Sequence, residues 1–445
     1  MKKFKSKTSL SNRLNTNKSN RRQLLLNTLS GLAGVTIAPK LFANTSHQQL
    51  AEGNENILIS VFLRGGMDGL SVVYPKKSTG KQTEARRRYE TYRENNNAGT
   101  RLDTGITLDH SELVLHPSFS PLESMLEKGE FKLIAGAGAP IVNRSHFRQM
   151  DLIESSSSTG APLASGVYGR ALSEFANTAA LDRLSLQTRP VFSLRNSISS
   201  GLTARDLERF GKVEHPVFEM SDSYEIRERV ANYLSCESDN RFCRNAEEAI
   251  TALQMVEEVV DRGDLPSVDN QFSSVLHHLG SAINLAPEAF RIIAVDFGGW
   301  DTHFDQGNAE TGRLQKQITA LSAGLKVLRE SIDDAIWSRV RVHVVTEFGR
   351  TTRQNGTGGT DHGYGSVQFL LGQGFETNLL ADGYFPDVID SGYYQQAEAN
   401  NYLPKLVDVR QIYGELIRDH LGLSDRQALA RVIPDYGLSS SRILV

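Results

Sequence analysis

The chain has 445 residues, 39% hydrophobic and 23% charged, with a formal net charge of −3. That is enough apolar material for a large core, and either one big domain with insertions or two domains is expected. Residues 1–43 hold nine Lys/Arg and no acid, so the remainder carries −12, a balance that argues against nucleic acid as a partner.

Lys2, Lys3, Lys5, Lys7, Arg13, Lys18, Arg21 and Arg22 precede a moderately apolar stretch over 24–38. This is the pattern of a signal peptide, and Asn20-Arg-Arg-Gln-Leu-Leu-Leu26 is similar to a twin-arginine export signal. The expectation is a signal over 1–43, a polar linker over 44–56, and a mature protein in the periplasm or secreted. A basic, disordered N-terminal arm is the plainer alternative. Twin-arginine export carries folded proteins, often already loaded with a metal or cofactor. No later apolar run approaches the roughly 20 residues needed to span a bilayer. The two cysteines, Cys236 and Cys243, could close a small disulfide loop in an exported protein or stay unpaired; a zinc site is not expected without a second pair.

In chain order, Ile57-Leu-Ile-Ser-Val-Phe-Leu63 reads as a strand that empties into Arg64-Gly-Gly-Met-Asp-Gly69, presenting Asp68 on a glycine loop. Residues 76–104 read as an exposed polar insertion, with Arg86-Arg-Arg88 on a solvated face. Ser120-Pro-Leu-Glu123 has the form of a capping box, and Gly129 stops that helix. A strand over 131–135 opens into Asn143-Arg-Ser-His-Phe147 at the start of a helix-like stretch over 148–154. Ser145 there is either an N-cap or a nucleophile, with Arg144 and His146 beside it. Residues 155–245 read as a serine-rich insertion, and 246–260 and 272–285 as amphipathic packing helices.

A third strand, Phe290-Arg-Ile-Ile-Ala-Val-Asp296, leads to Gly-Gly-Trp-Asp301-Thr-His303, and a helix is expected over 311–337. Val340-Arg-Val-His-Val-Val-Thr346 follows as a buried strand, then Glu347-Phe-Gly-Arg350 and the glycine-rich stretch to Asp361-His362-Gly363. A strand–helix–strand crossover should put Asp301, His303 and Glu347 on one sheet edge, where ligand chemistry collects in open α/β sheets. A further strand over 367–371 and closing helices over 407–421 and 424–432 complete the reading.

Asp68, Asp301 with His303, Glu347, and Asp361 with His362 thus stand at loop ends that suit a divalent metal. The histidines favour Zn²⁺ or Mn²⁺ over Mg²⁺ or Ca²⁺. Taken singly, each has a plainer reading as turn former, cap or satisfied loop histidine.

Gly-Gly-Met-Asp-Gly (65–69), His116-Pro-Ser-Phe, Asn143-Arg-Ser-His-Phe147, Gly-Gly-Trp-Asp-Thr-His303, Thr-Glu-Phe-Gly-Arg350 and Gly-Thr-Asp-His-Gly363 together resemble the motif series of the DUF1501 family of exported bacterial proteins. The resemblance implies kinship with the alkaline phosphatase and sulfatase superfamily, hence an α/β domain with a mostly parallel central sheet flanked by helices. By that resemblance Ser145 is the nucleophile position, Asp68, Asp301, His303, Glu347 and His362 hold one or two metals, and Arg144 or Arg350 steadies the anion. Two departures stand out: the middle Asp and His are two apart rather than four, and Phe348 follows the late acid where a histidine is usual. Asp361-His362 is an alternative place for that acid–histidine pair.

The expected function is metal-dependent hydrolysis of a small anionic phosphate or sulfate ester. The alternative is a non-catalytic envelope protein of the same fold that binds a partner or polysaccharide.

Overall fold

The computed structural model describes residues 55–76, 84–93, 105–108, 113–175, 181–187, 189–196, 202–204, 207, 271–308, 310–377, 379–380, 401–403, 405–435 and 443. All of them fall in one compact unit, Ala51–Val445. The expected signal peptide, Cys236 and Cys243, and the helix over 246–260 lie outside the described residues.

The apolar runs become the strands of a mixed α/β architecture. β1 (Ile57–Leu63) leads through a short helix at Gly69–Val72 to β2 (Val73–Pro75) and then α1 (Glu84–Arg93). β3 (Ile106–Thr107), β4 (Leu113–Leu115) and β2 make a small separate sheet. β5 (Phe131–Gly138), α2 (His146–Ser155), α3 (Val167–Ser173), β6 (Leu181–Leu186) and β7 (Leu202–Ala204) follow. Then come α4 (Gln271–Leu285), β8 (Phe290–Phe297), α5 (Arg313–Glu330), β9 (Val340–Thr346), β10 (Ser366–Leu371) and β11 (Leu379–Leu380). β12 (Val407–Asp408), α6 (Val409–Glu415) and α7 (Arg426–Val432) close the described chain.

Among the described residues the main sheet has the order β11-β5-β10-β9-β1-β8-β6-β7, with β12 also pairing β5. Every pairing is parallel except those of β10, which runs antiparallel to both β5 and β9. Both faces are buried, which is why the strands read as nearly continuous apolar runs. Along β1, Ile57, Ile59, Val61 and Leu63 join one core while Leu58 and Phe62 join the other. The first core is covered by α4 and α5 through Leu276, Leu279, Ile318, Leu321 and Leu325. The second is covered by α3, α6 and α7 through Tyr168, Leu172, Ile412 and Leu429. No described helix is long and apolar enough to cross a membrane.

Several local expectations are corrected. The helix expected over 311–337 breaks after Glu330 and restarts as a short helix at Asp334–Trp337, with Asp333 in an extended conformation at its N-cap. The helix expected from Ser120 is preceded by a tighter turn, Pro117–Leu122, whose cap is His116, its ring accepting from Ser118 N. The stretch 155–245 is not wholly an insertion, because α3, β6 and β7 belong to the layered core. Nor is the basic run of α1 a solvated face: Arg86 and Arg93 are buried while Arg87 is exposed. Arg86 pairs with Glu90 at 2.6 Å. Arg93 reaches Asp68 as described below.

The register sets the level of the functional loops. Leu63 is opposite both Phe297 and Thr346, so β1, β8 and β9 end together. β5 runs the same way, since β10 is antiparallel to both it and β9. The loops after β1, β5, β8 and β9 therefore leave one sheet edge.

Candidate metal centre

At that edge each loop is held by its neighbours. Gly65 has φ +126°, and a Cβ there would lie 2.4 Å from Asp301 N, so only glycine lets the β1 loop pass under the β8 loop. The segment after β9 folds back on itself: Arg350 bridges His362, Thr351 N bonds to Asp361 O, and Gly363 N bonds to Gly349 O. The β8 loop docks on this return through Phe304 opposite Gly358, Thr360 N to Thr302 O, and Asn355 Nδ2 to His303 O at 2.8 Å.

These constraints bring His146, Asp301, His303 and His362 together, one ligand atom from each lying within 4.8 Å of all the others. The group could hold a metal ion. Each histidine is oriented by an acceptor on its Nδ1 side. His146 Nδ1 is 2.7 Å from Glu347 Oε1, His303 Nδ1 is 2.9 Å from Asp361 Oδ1, and His362 Nδ1 is 2.5 Å from Arg144 O. Carboxylates and carbonyls only accept, so each ring donates from Nδ1 and presents Nε2 to the interior of the group. Such outer partners are the usual supports of metal-bound imidazoles.

The inward atoms converge on Asp301 Oδ1, which lies 3.1 Å from His303 Nε2, 3.5 Å from His146 Nε2 and 3.7 Å from His362 Nε2. His303 Nε2 and His362 Nε2 are 2.8 Å apart. That spacing is met by one Nε2–H donating to the other nitrogen or by a cation held by both, and His146 Nε2 is buried with no hydrogen-bond partner. Ligands about 2.1 Å from one ion stand roughly 3.0 Å apart across a right angle and roughly 3.4 Å across a tetrahedral one. Four of the six separations bracket both values, and all six lie within 4.8 Å, so the group could hold a metal ion.

Electrostatics suit ligation. Partial burial works against ionisation of Asp301, but the hydrogen bond and charge of Arg350, with His303 and His146 nearby, outweigh it and hold the carboxyl below its ordinary value. Asp361 is lowered in the same way, its burial outweighed by Asn355 and His303. Burial pushes the His362 imidazole below its ordinary value, and the charges of His146, Arg350 and His303 add to this against the opposing bond to Arg144 O. Phe348 backs the group, its ring centroid 4.9 Å from that of His146 and 4.8 Å from that of His362.

The structure separates the expected site residues by role. Asp301, His303 and His362 converge, and His146, expected beside the nucleophile, joins them through its ring. Glu347 does not point into the group. Its buried carboxylate bonds His146 Nδ1 and Gly65 N at 2.9 Å, and Asp361 likewise stands behind His303.

Asp68 is not brought to the group. It is buried against Arg93, with contacts of 2.5 and 3.0 Å, and also accepts from Ser71 Oγ and Gln306 Nε2. Arg93, with the bonds to Ser71 and Gln306, overcomes the burial that would otherwise raise Asp68 and holds it below its ordinary value. Arg350 does not face solvent either. Its guanidinium is buried and donates to Gly65 O, Gly66 O, Thr360 O, Trp300 O and Asp301 Oδ1, a positioning role rather than the expected one on a substrate anion.

Ser145 is exposed at the N-cap of α2, its hydroxyl making no capping bond, while its N–H donates to Asn143 Oδ1 at 2.9 Å. Arg144 is exposed and contributes its carbonyl to His362. Sequence reasoning did not single out Arg93, Gln306 or Asn355, which carry no motif of their own.

A family described as "Protein of unknown function (DUF1501)" matches residues 148–378. The chain belongs to the DUF1501 family. The matched segment contains Asp301, His303, Glu347, Arg350, Asp361 and His362; Ser145 and His146 lie just before it. Among curated proteins, none matches this DUF1501 chain.

Proposed function

We propose that this DUF1501 protein is a metal-dependent hydrolase of phosphate or sulfate esters, acting outside the cytoplasmic membrane after export by the twin-arginine route. The observation that carries the reading is the convergence of three Nε2 atoms on Asp301 Oδ1, each ring oriented by an acceptor behind it. The choice of reaction follows the kinship with the alkaline phosphatase and sulfatase superfamily that the motif series implies, which is part of this proposal.

Three imidazoles and one carboxylate favour Zn²⁺ or Mn²⁺ over Mg²⁺ or Ca²⁺. Such an ion would supply Lewis-acid polarisation of the ester oxygen. His146, Asp301, His303 and His362 would hold the ion.

Ser145 is the nucleophile in this reading. Its Oγ bonds to phosphorus or sulfur as the bond to the alcohol oxygen breaks, its proton passing through water to the departing alcohol. A water molecule then cleaves the ester on Ser145 and releases phosphate or sulfate. Ser145 stands at the N-terminus of α2 without a side-chain capping bond, and a helix N-terminus favours an anion.

The test is turnover of aryl phosphate and aryl sulfate by metal-loaded protein, with and without chelator, and for Ser145→Ala. Chelator-sensitive release that Ser145→Ala reduces by at least a hundredfold is expected, in line with loss of a nucleophile. Absence of turnover on both substrates would leave a binding protein that keeps the metal group.

A further inference from the structure

Asp361 stands behind the His303 ring, yet its side chain is 57% exposed, against 48% for Asp301 and 0% for Glu347. An aspartate that open has rotamer freedom to lose, so its place behind the ring needs a cause. Its backbone is fixed: Asp361 N donates to Thr351 Oγ1 at 3.0 Å, and Asp361 O accepts from Thr351 N at 2.9 Å. Those bonds leave the carboxylate free to turn. Among the described residues the carboxylate takes two hydrogen bonds, both on Oδ1, from His303 Nδ1 at 2.9 Å and from Asn355 Nδ2 at 3.1 Å.

The same Nδ2 donates to His303 O at 2.8 Å, so one amide ties the backbone of His303 to the carboxylate that orients its ring. Asn355 Oδ1 accepts from Thr357 N and Gly359 N, each at 3.0 Å, which fixes the amide plane. A side-chain amide carries two donor hydrogens and an acceptor in one plane, whereas a carboxylate has no donor and a hydroxyl only one. An amide is what this junction needs. His303 O has a second donor in Thr357 Oγ1 at 2.6 Å, so the loss of Nδ2 would be felt more at Asp361 than at the His303 backbone.

We infer that Asn355 is a positioning residue of the metal centre that acts through Asp361, holding that carboxylate behind His303 and so setting where His303 Nε2 points. The inference rests on the metal-binding part of the proposed function and not on the reaction. The competing role for Asn355 is to shape its own loop through Thr357 and Gly359. The two roles part once Asp361 is removed. A role through Asp361 then vanishes, while a role in the loop persists.

The test is a double-mutant cycle on Zn²⁺ affinity, read by competition with a chromophoric chelator, in wild type, Asn355→Ala, Asp361→Ala and the double variant. Each single substitution should weaken Zn²⁺ binding by roughly 10-fold or more, the range for an outer partner of a metal-bound imidazole. The double variant should bind within about twofold of Asp361→Ala alone. Asn355→Asp guards against a collapsed loop in Asn355→Ala: it keeps an acceptor for Thr357 N and Gly359 N but cannot donate, and should lose affinity to a similar extent. Wild-type affinity in Asn355→Ala or in Asn355→Asp would overturn the positioning role while leaving the metal centre in place. So would a further loss of about tenfold when Asn355→Ala is added to Asp361→Ala. A wild-type chain that binds no Zn²⁺ would overturn both.

Discussion

His146 and Glu347, 201 positions apart in the chain, meet at 2.7 Å, and the same carboxylate oxygen takes the N–H of Gly65. Glu347 thus ties the loops after β1, β5 and β9 into one assembly. Its place behind His146, rather than among the inward atoms, makes it a support of the metal group.

Glu347→Gln should therefore weaken metal binding without emptying the site. The amide oxygen can still accept from Gly65 N and His146 Nδ1, but the charge that favours a basic imidazole is gone. An affinity loss of roughly 10- to 100-fold is expected, typical for such an outer partner. Competition against a chromophoric chelator measures it, and unchanged affinity would remove Glu347 from the support of His146.

Asp68 should behave oppositely. Its carboxylate and the Arg93 guanidinium are both fully buried, so Asp68→Ala strands a buried charge and should cost about 3 to 5 kcal/mol of stability. Metal affinity of the folded fraction should not change. Denaturant unfolding and metal analysis on the same sample separate the two effects; loss of metal with stability intact would return Asp68 to the ligand set.

Acid should destabilise the fold through histidines remote from the metal group. Burial lowers His116, His343 and His420 to about 4 each, against an ordinary value near 6.5. Their folded-state values are depressed, so between about 6.5 and 4 the unfolded chain binds more protons. Their stabilisation is full above 6.5 and is lost as pH falls through about 4. With three such groups the slope could reach ~4 kcal/mol per pH unit. Urea midpoints at pH 7 and pH 5 check this, and equal midpoints would contradict it.

The strands were legible because burial on both faces leaves unbroken apolar runs such as 57–63 and 340–346. The shared edge of Asp301, His303 and Glu347 followed from the crossover rule, although β1 inserts between β8 and β9 in the sheet. The reversed direction of β10 was not legible, since an apolar run of six residues carries no sign of its orientation. Charged residues misled wherever their partner was distant in sequence. Arg86 reads as solvated in the sequence although it is buried, and Asp68 reads as available although Arg93, 25 positions on, takes it. His146 could not be distinguished from a neighbour of Ser145 without the contacts made by Glu347 and Asp301.

Metal content tests the central claim most directly. Protein purified without chelator, or reconstituted with Zn²⁺ or Mn²⁺ and desalted, should retain about one ion per chain, as a four-donor site would. His303→Ala/His362→Ala should retain almost none while Asp68→Asn, where folded, retains it. A wild-type chain that holds no ion after reconstitution, or a double variant that holds as much as wild type, would contradict the account.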